Sequence, residues 1–223
     1  MISNLVSLGY YINADDIEKI IREKGSFDVS DFKLKPSEQE ILGFFRNSSF
    51  LQKANLLNEV NKISFRDNKL IFNDIEMNSY LASVLADFLR QKLIQAQKSF
   101  TFETVMSSYD KIQLLKEAQN LGFRTYLYFV ATDNPFINIT RVTSRVKSGG
   151  HGVPEEKIKE RYQRSLDFLL DAIRYSNRAY IFDNSGLESI FLAEFTDGGT
   201  PALQTKEIPA WFKRAVLDKI QPN

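Results

Sequence analysis

The chain has 223 residues, 43% of them apolar and 26% charged, which is ordinary for a folded protein and enough for one large domain with a proper core. Its 29 Lys and Arg against 28 Asp and Glu leave a net charge of +1, so no global field draws it to nucleic acid or to a membrane surface, and any anion site has to be local. The absence of cysteine and the single histidine exclude disulfides, thiolate chemistry and histidine-rich metal sites and point to the cytoplasm, while the opening MISNLVSLGYYINADD carries neither a basic leader nor an apolar run of membrane length.

Residues 2–8 keep helical spacing with no N-cap before them, so the chain begins as the end of a helix that Gly9 closes. YYIN, residues 10–13, reads as a short strand running into the helix ADDIEKIIREKG. Asp15, Asp16 and Glu18 sit in that helix's first turn, where acids suit the helix dipole, so capping is the plain alternative to a ligand role. Residues 26–60 hold two further helical patterns, around PSEQEILGFFRN and NSSFLQKANLLNEVNK. KISFRDNKLIFN then alternates on both sides of an Asp-Asn turn, which predicts an inserted hairpin at about 62–73. Residues 77–97 form a long helix with Tyr80, Leu81, Val84, Leu85, Phe88, Leu89 and Leu93 on one core stripe.

Short strands and helices then alternate. SFTFET is a strand, SSYDKIQLLKEAQNLG a helix stopped by Gly122, and FRTYLYFVAT a nearly continuous apolar strand expected to be buried on both faces. Residues 134–147 and 154–175 are two helices, AYIFDNS is another buried strand, LESIFLAEF an antiparallel strand at the edge, and AWFKRAVLDKI a closing helix. The expectation is a single α/β domain over 1–223, with a mostly parallel sheet and helices on both faces.

The predicted parallel strands end in polar residues: Asn13 with Asp15, Glu103 with Thr104, Thr132 with Asp133, and Asp183 with Asn184. Open α/β sheets bind ligands at the carboxyl ends of their strands, so these groups are expected on one rim, although each alone also suits a turn or a cap. Residues 141–165 add Arg141, Arg145, Arg161, Arg164, the lone His151 and a Gly-Gly pair between two helical patterns. That is the composition of a mobile anion clamp, or of a solvated helical hairpin. Asn138, Arg141 and Arg145 share one helix face, with Phe136, Ile139, Val142 and Val146 on the other. In the second helix Ile158, Tyr162, Leu166, Leu169 and Ile173 make the buried stripe, Arg161 flanks it, and Arg164 sits further out. His151 either touches a phosphate or orders the loop.

INADDIE, SFTFETVMS, YLYFVATDNPFINITRV, RVKSGGHGVPEEKIKERYQRSL and YIFDNSG, in that order, resemble the zeta-toxin-like group of P-loop kinases over about residues 2–186. The resemblance implies a P-loop-kinase-like fold with a helical lid at about 134–176. It implies an ATP- and magnesium-dependent phosphotransferase acting on a hydroxyl-bearing small molecule such as a nucleotide-activated amino sugar. On it, Asp15 matches the general base or a magnesium ligand, and Asn13, Glu103 and Thr104 match the acceptor-binding positions. Arg145 and Arg161 resemble the arginines that neutralise the transferred phosphoryl group, with Arg141, His151 and Arg164 on the phosphate-facing lid and Asp183 and Asn184 on the base-side rim. Implied partners are a nucleotide, a small-molecule substrate, and an antitoxin or a second chain.

One departure is large. The family's Gly-x-x-x-x-Gly-Lys-Ser/Thr loop occurs nowhere in the 223 residues. Without its amide cradle and lysine the chain is expected to be a poor ATPase, and a sheet lacking the strand before it is expected to be closed by another segment, another chain or a shift of strands. A non-catalytic nucleotide- or anion-binding protein is therefore the alternative to a kinase.

Overall fold

The computed structural model describes residues 8–148 and 152–220, in two compact units that divide between Thr104 and Val105. The predicted helix at 2–8 and the His151 position therefore lie largely or wholly outside the described residues.

In the first unit, β1 (Tyr10–Ile12) pairs parallel with β5 (Phe100–Phe102), Tyr10 opposite Phe100 and Ile12 opposite Phe102. Helix α1 (Ala14–Lys24) starts at the Asn13 cap and ends at Gly25, whose φ of 67° completes a left-handed C-cap with its N–H on the Ile21 carbonyl at 2.8 Å. Asp15 and Asp16 are in its first turn as predicted, while Glu18 lies buried against Arg22, one turn on.

The Asp-Asn turn delivers the predicted hairpin, β3 (Ile63–Arg66) and β4 (Lys69–Phe72), because Asp67 and Asn68 both accept positive φ. The sequence reading did not anticipate β2 (Ser26–Asp28), which pairs with β4 and turns the hairpin into a three-stranded antiparallel sheet. Three short helices follow the helical patterns: α2 (Glu38–Arg46), α3 (Ser49–Lys53) and α4 (Leu57–Val60). Ser37 and Glu40 form a capping box on α2, and the Lys92 ammonium, then the Ser37 bonds, hold the Glu40 carboxyl down at about 2. Helix α5 (Ser79–Gln95) buries Leu81, Val84, Leu85, Phe88, Leu89 and Leu93, the predicted stripe, and also Ala82, Ala86 and Ile94, so it runs through the core rather than over it.

The second unit holds β6 (Tyr126–Ala131) parallel to β7 (Arg178–Asp183), then β8 (Ile190–Thr196) and β9 (Ala202–Leu203), both antiparallel. The protein is thus α/β, but its sheets are not mostly parallel: only β1–β5 and β6–β7 pair that way among the described residues. β8 is antiparallel as predicted, yet internal, because β9 pairs outside it.

Helices α6 (Asp110–Asn120), α7 (Pro135–Lys147), α8 (Glu155–Asp167) and α9 (Leu169–Arg174) follow the predicted order, with the helix predicted at 154–175 split in two at Phe168. Closing the chain are α10 (Ala210–Phe212), a π-helical turn (Lys213–Leu217) and α11 (Asp218–Ile220). Trp211, Phe212, Phe195, Ile181, Leu169 and Ile173 fill the core on one face of the β6–β9 sheet. The other face corrects a prediction. Strand β6 is not buried on both sides: Tyr126, Tyr128 and Val130 are 45%, 48% and 55% exposed, because the run is apolar in composition but alternates in burial.

Candidate functional site

In the first unit, the carboxyl ends of β1 and β5 come together because the strands run parallel and in register. The Asn13 Oδ1 accepts the Asp15 N–H at 2.8 Å, which starts α1, and its Nδ2 donates to Glu103 Oε2 and to the Tyr11 hydroxyl, each at 3.2 Å. One amide therefore ties a helix start to two neighbouring strands. Asp15, Glu103 and Thr104 are exposed around it. The Asp15 carboxyl has no hydrogen-bond or ion-pair partner among the described residues, which leaves it available to a hydroxyl or a cation.

Tyr11 was not singled out from the sequence. Its place two residues before Asn13, on the same face of a strand, is the signal that finds it. The Asn13 amide pulls its phenol down, but partial burial and the bond and charge of Glu103 outweigh this and leave it raised. Asn13→Ala is expected to cost about 1 kcal/mol as a lost cap. Asn13→Asp keeps the cap but sets a carboxyl against Glu103, so chemical denaturation should rank it between alanine and the native residue.

In the second unit, the ends of β6 and β7 are locked by a separate network. Asp183 is buried; its Oδ2 accepts from Trp211 Nε1 at 2.6 Å and from Ser185 Oγ at 2.9 Å, and its Oδ1 from the Ser185 N–H at 3.0 Å. Ser185 Oγ in turn accepts the Asp133 N–H at 2.7 Å. Asn184 donates its N–H to the Ala131 carbonyl at 2.7 Å, and its own carbonyl accepts from Arg141 at 2.7 Å. Asp183, Asn184 and Arg141 thus hold strand ends and helix α7 together, with the Asp183 side chain directed at Trp211.

Tyr162, read from sequence as a core residue, sends its hydroxyl to the carbonyls of Thr132 at 2.9 Å and Asp133 at 3.1 Å. Burial first, then the Asp133 charge, raises its phenol. Helix α7 buries none of its residues, and Phe136 is 65% exposed, so the apolar side opposite Arg141 and Arg145 is not core. Arg145 is exposed in the last turn of α7, Arg164 is exposed on α8, and Arg161 is half-buried beside the Ile158 and Leu166 stripe. Neither Arg161 nor Arg164 has an ion-pair partner among the described residues.

Residues 76–194, more than half of the chain, match the family profile described as Zeta toxin. The chain belongs to the zeta toxin family. The match runs from just before α5 into β8, so it takes in Glu103, Thr104, Arg145, Arg161, Asp183 and Ser185, and leaves Asn13, Asp15 and Trp211 outside it. The chain is also similar to an uncharacterized protein of Haemophilus influenzae, 36% identical over 69 residues, which are 31% of this chain and 49% of that protein. It spans about half the length of the curated relative it matches. No solved structure matches it.

Magnesium and ATP are the groups the family implies. Among the described residues no cluster of three or more Asp, Glu or His side chains converges; magnesium that keeps phosphate and water oxygens needs one or two protein carboxyls, and the exposed Asp15 is a donor of that kind. The ATP phosphates are a different case. With no Gly-x-x-x-x-Gly-Lys-Ser/Thr in the sequence, the residues present do not fit them.

Proposed function

We propose that this chain handles the acceptor in phosphoryl transfer of the zeta toxin kind, binding a hydroxyl-bearing, nucleotide-activated amino sugar at the carboxyl ends of β1 and β5. The observation that carries this reading is the Asn13 amide held between Asp15 and Glu103. In it, Asp15 takes the proton from the acceptor hydroxyl as that oxygen becomes a nucleophile, and Asn13, Glu103 and Thr104 orient the sugar. The phosphoryl group would come from ATP with magnesium, held by a phosphate loop that is not among these 223 residues. Within the second unit, and apart from that acceptor site, Arg145 and Arg161 offer positive charge to phosphate oxygens.

Isothermal titration with a nucleotide-activated amino sugar tests the reading. Glu103→Gln and Asn13→Ala are each expected to weaken binding about tenfold, the size of one lost polar contact. Unchanged affinity in both variants defeats it. In a chain carrying a phosphate loop ahead of residue 1, Asp15→Ala should abolish transfer while leaving sugar affinity nearly intact. Full activity there removes Asp15 as the base.

The missing Gly-Lys-Ser/Thr motif favours a second reading, a non-catalytic nucleotide- or anion-binding protein that includes the antitoxin-partner role. It predicts binding of ATP without magnesium-dependent turnover, weakened by Arg161→Ala. Equal ATP affinity in that variant and the native chain counts against it.

A further inference from the structure

Building on the acceptor reading of the β1 and β5 ends, we infer that Tyr11 is a positioning residue of that site: its hydroxyl, together with the Asn13 amide, holds the Glu103 carboxylate in one orientation for the acceptor. The strand register brings the three side chains together. Tyr11 stands opposite Thr101 and Ile12 opposite Phe102, so the next pair along the parallel ladder is Asn13 and Glu103. Side chains alternate along a strand, so Tyr11, Asn13, Thr101 and Glu103 share one face, while fully buried Ile12 and the core-packed Phe100 and Phe102 take the other.

The Asn13 amide is fully engaged. Its Oδ1 accepts the Asp15 N–H at 2.8 Å, and its Nδ2 spends its two hydrogens on the Tyr11 hydroxyl oxygen and on Glu103 Oε2, each at 3.2 Å. The Tyr11 hydroxyl bonds Glu103 in turn. Thr101 does not compete for that contact, because its own hydroxyl donates to the Leu8 carbonyl at 2.7 Å. Glu103 is exposed, so packing does not set its last torsion, which is intrinsically broad. One bond from Asn13 leaves the carboxylate free to swing about it; the second, from Tyr11, fixes its plane. An orientation fixed before the ligand arrives removes an ordering cost that binding would otherwise carry.

A merely structural Tyr11 is the alternative. The residue is 49% exposed and the Asn13 side chain is already anchored on the first turn of α1, so the hydroxyl has little to add to folding. Tyr11→Phe removes the hydroxyl and keeps the ring. It should leave the melting temperature within about 2 °C of the native chain and weaken binding of a nucleotide-activated amino sugar about fivefold in isothermal titration. Tyr11→Phe with Glu103→Ala should bind no more weakly than Glu103→Ala alone, because Tyr11 acts through that carboxylate. Losses that multiply in the double variant mean that Tyr11 touches the sugar independently, and they overturn the inference. So does a lowered melting temperature with unchanged affinity.

A second readout needs no sugar. The Asn13 amide lowers the Tyr11 phenol, but burial, the bond and charge of Glu103 and the charge of Asp16 together raise it. In an NMR titration of tyrosine labelled at Cζ, with Tyr11→Phe identifying the resonance among nine, Glu103→Ala should bring that phenol to a lower pH. An unmoved phenol overturns the inference whatever the sugar does. A native chain that binds no sugar while its phenol answers to Glu103 defeats the acceptor reading, and with it the ligand named here, while the hold of Tyr11 on Glu103 is upheld.

Discussion

Gly9→Ala lowers the melting temperature by about 10 °C, following a loss of about 3–5 kcal/mol. Gly9 has φ 65°, and a Cβ there would stand 2.0 Å from the Ser99 carbonyl oxygen and 2.3 Å from its carbon. Ser99 cannot retreat freely, because its carbonyl accepts the Tyr10 N–H at 3.0 Å and so opens the β1–β5 ladder. The methyl therefore either strains the backbone or separates the two strands whose ends carry Asn13 and Glu103. Gly25→Ala is the matched control: φ is 67°, but nothing lies within 4 Å of the added carbon, so only the left-handed strain of about 1 kcal/mol applies. Differential scanning fluorimetry of the two variants separates crowding from strain. Equal shifts would mean that the close approach to Ser99 carries no energy. If sugar binding also falls in Gly9→Ala at a temperature where the chain is folded, the β1–β5 register itself sets the Asn13–Glu103 geometry.

What was legible in the sequence divides along a physical line. Signals that act within a few residues were readable: the acidic first turn of α1 and its end at Gly25, the Asp67–Asn68 turn, and the helical spacing of α5, whereas the cap of α1 fell to Asn13 and not to the acids read for it. The meeting of Asn13 with Glu103, 90 residues away, was reachable because parallel strands bring their carboxyl ends to one side. Signals that depend on what covers a segment were not. The run YLYFVA has the composition of a fully buried strand, yet composition cannot say whether a second layer lies on Tyr126, Tyr128 and Val130. Strand β2 is too short for periodicity and forms only because β4 offers it an edge. The polar strand end at Asp183 looked like a rim group; its partner Trp211 is 28 residues on, in a helix whose sequence reads simply as apolar.

That last contact carries the other large effect. Asp183→Ala is expected to cost about 3–4 kcal/mol, since it removes three hydrogen bonds and leaves the indole N–H of Trp211 without an acceptor inside the core. Trp211 is fully buried, so no water replaces the lost oxygen. Trp211→Phe removes the donor instead and keeps most of the ring volume, at a cost of about 1–2 kcal/mol. The double variant decides between packing and hydrogen bonding. If the Asp183–Trp211 bond is the main term, urea denaturation of Asp183→Ala with Trp211→Phe costs clearly less than the sum of the single variants, by about 1 kcal/mol or more. Strict additivity would place the energy of Asp183 in Ser185, whose hydroxyl holds the Asp133 N–H at the end of β6, and Ser185→Ala would then reproduce most of the loss. In either case the damage passes through the strand ends to Asp133, Asn184 and Arg141, so hydrogen-exchange protection at the ends of β6 and β7 should fall with stability and recover together with it at lower temperature.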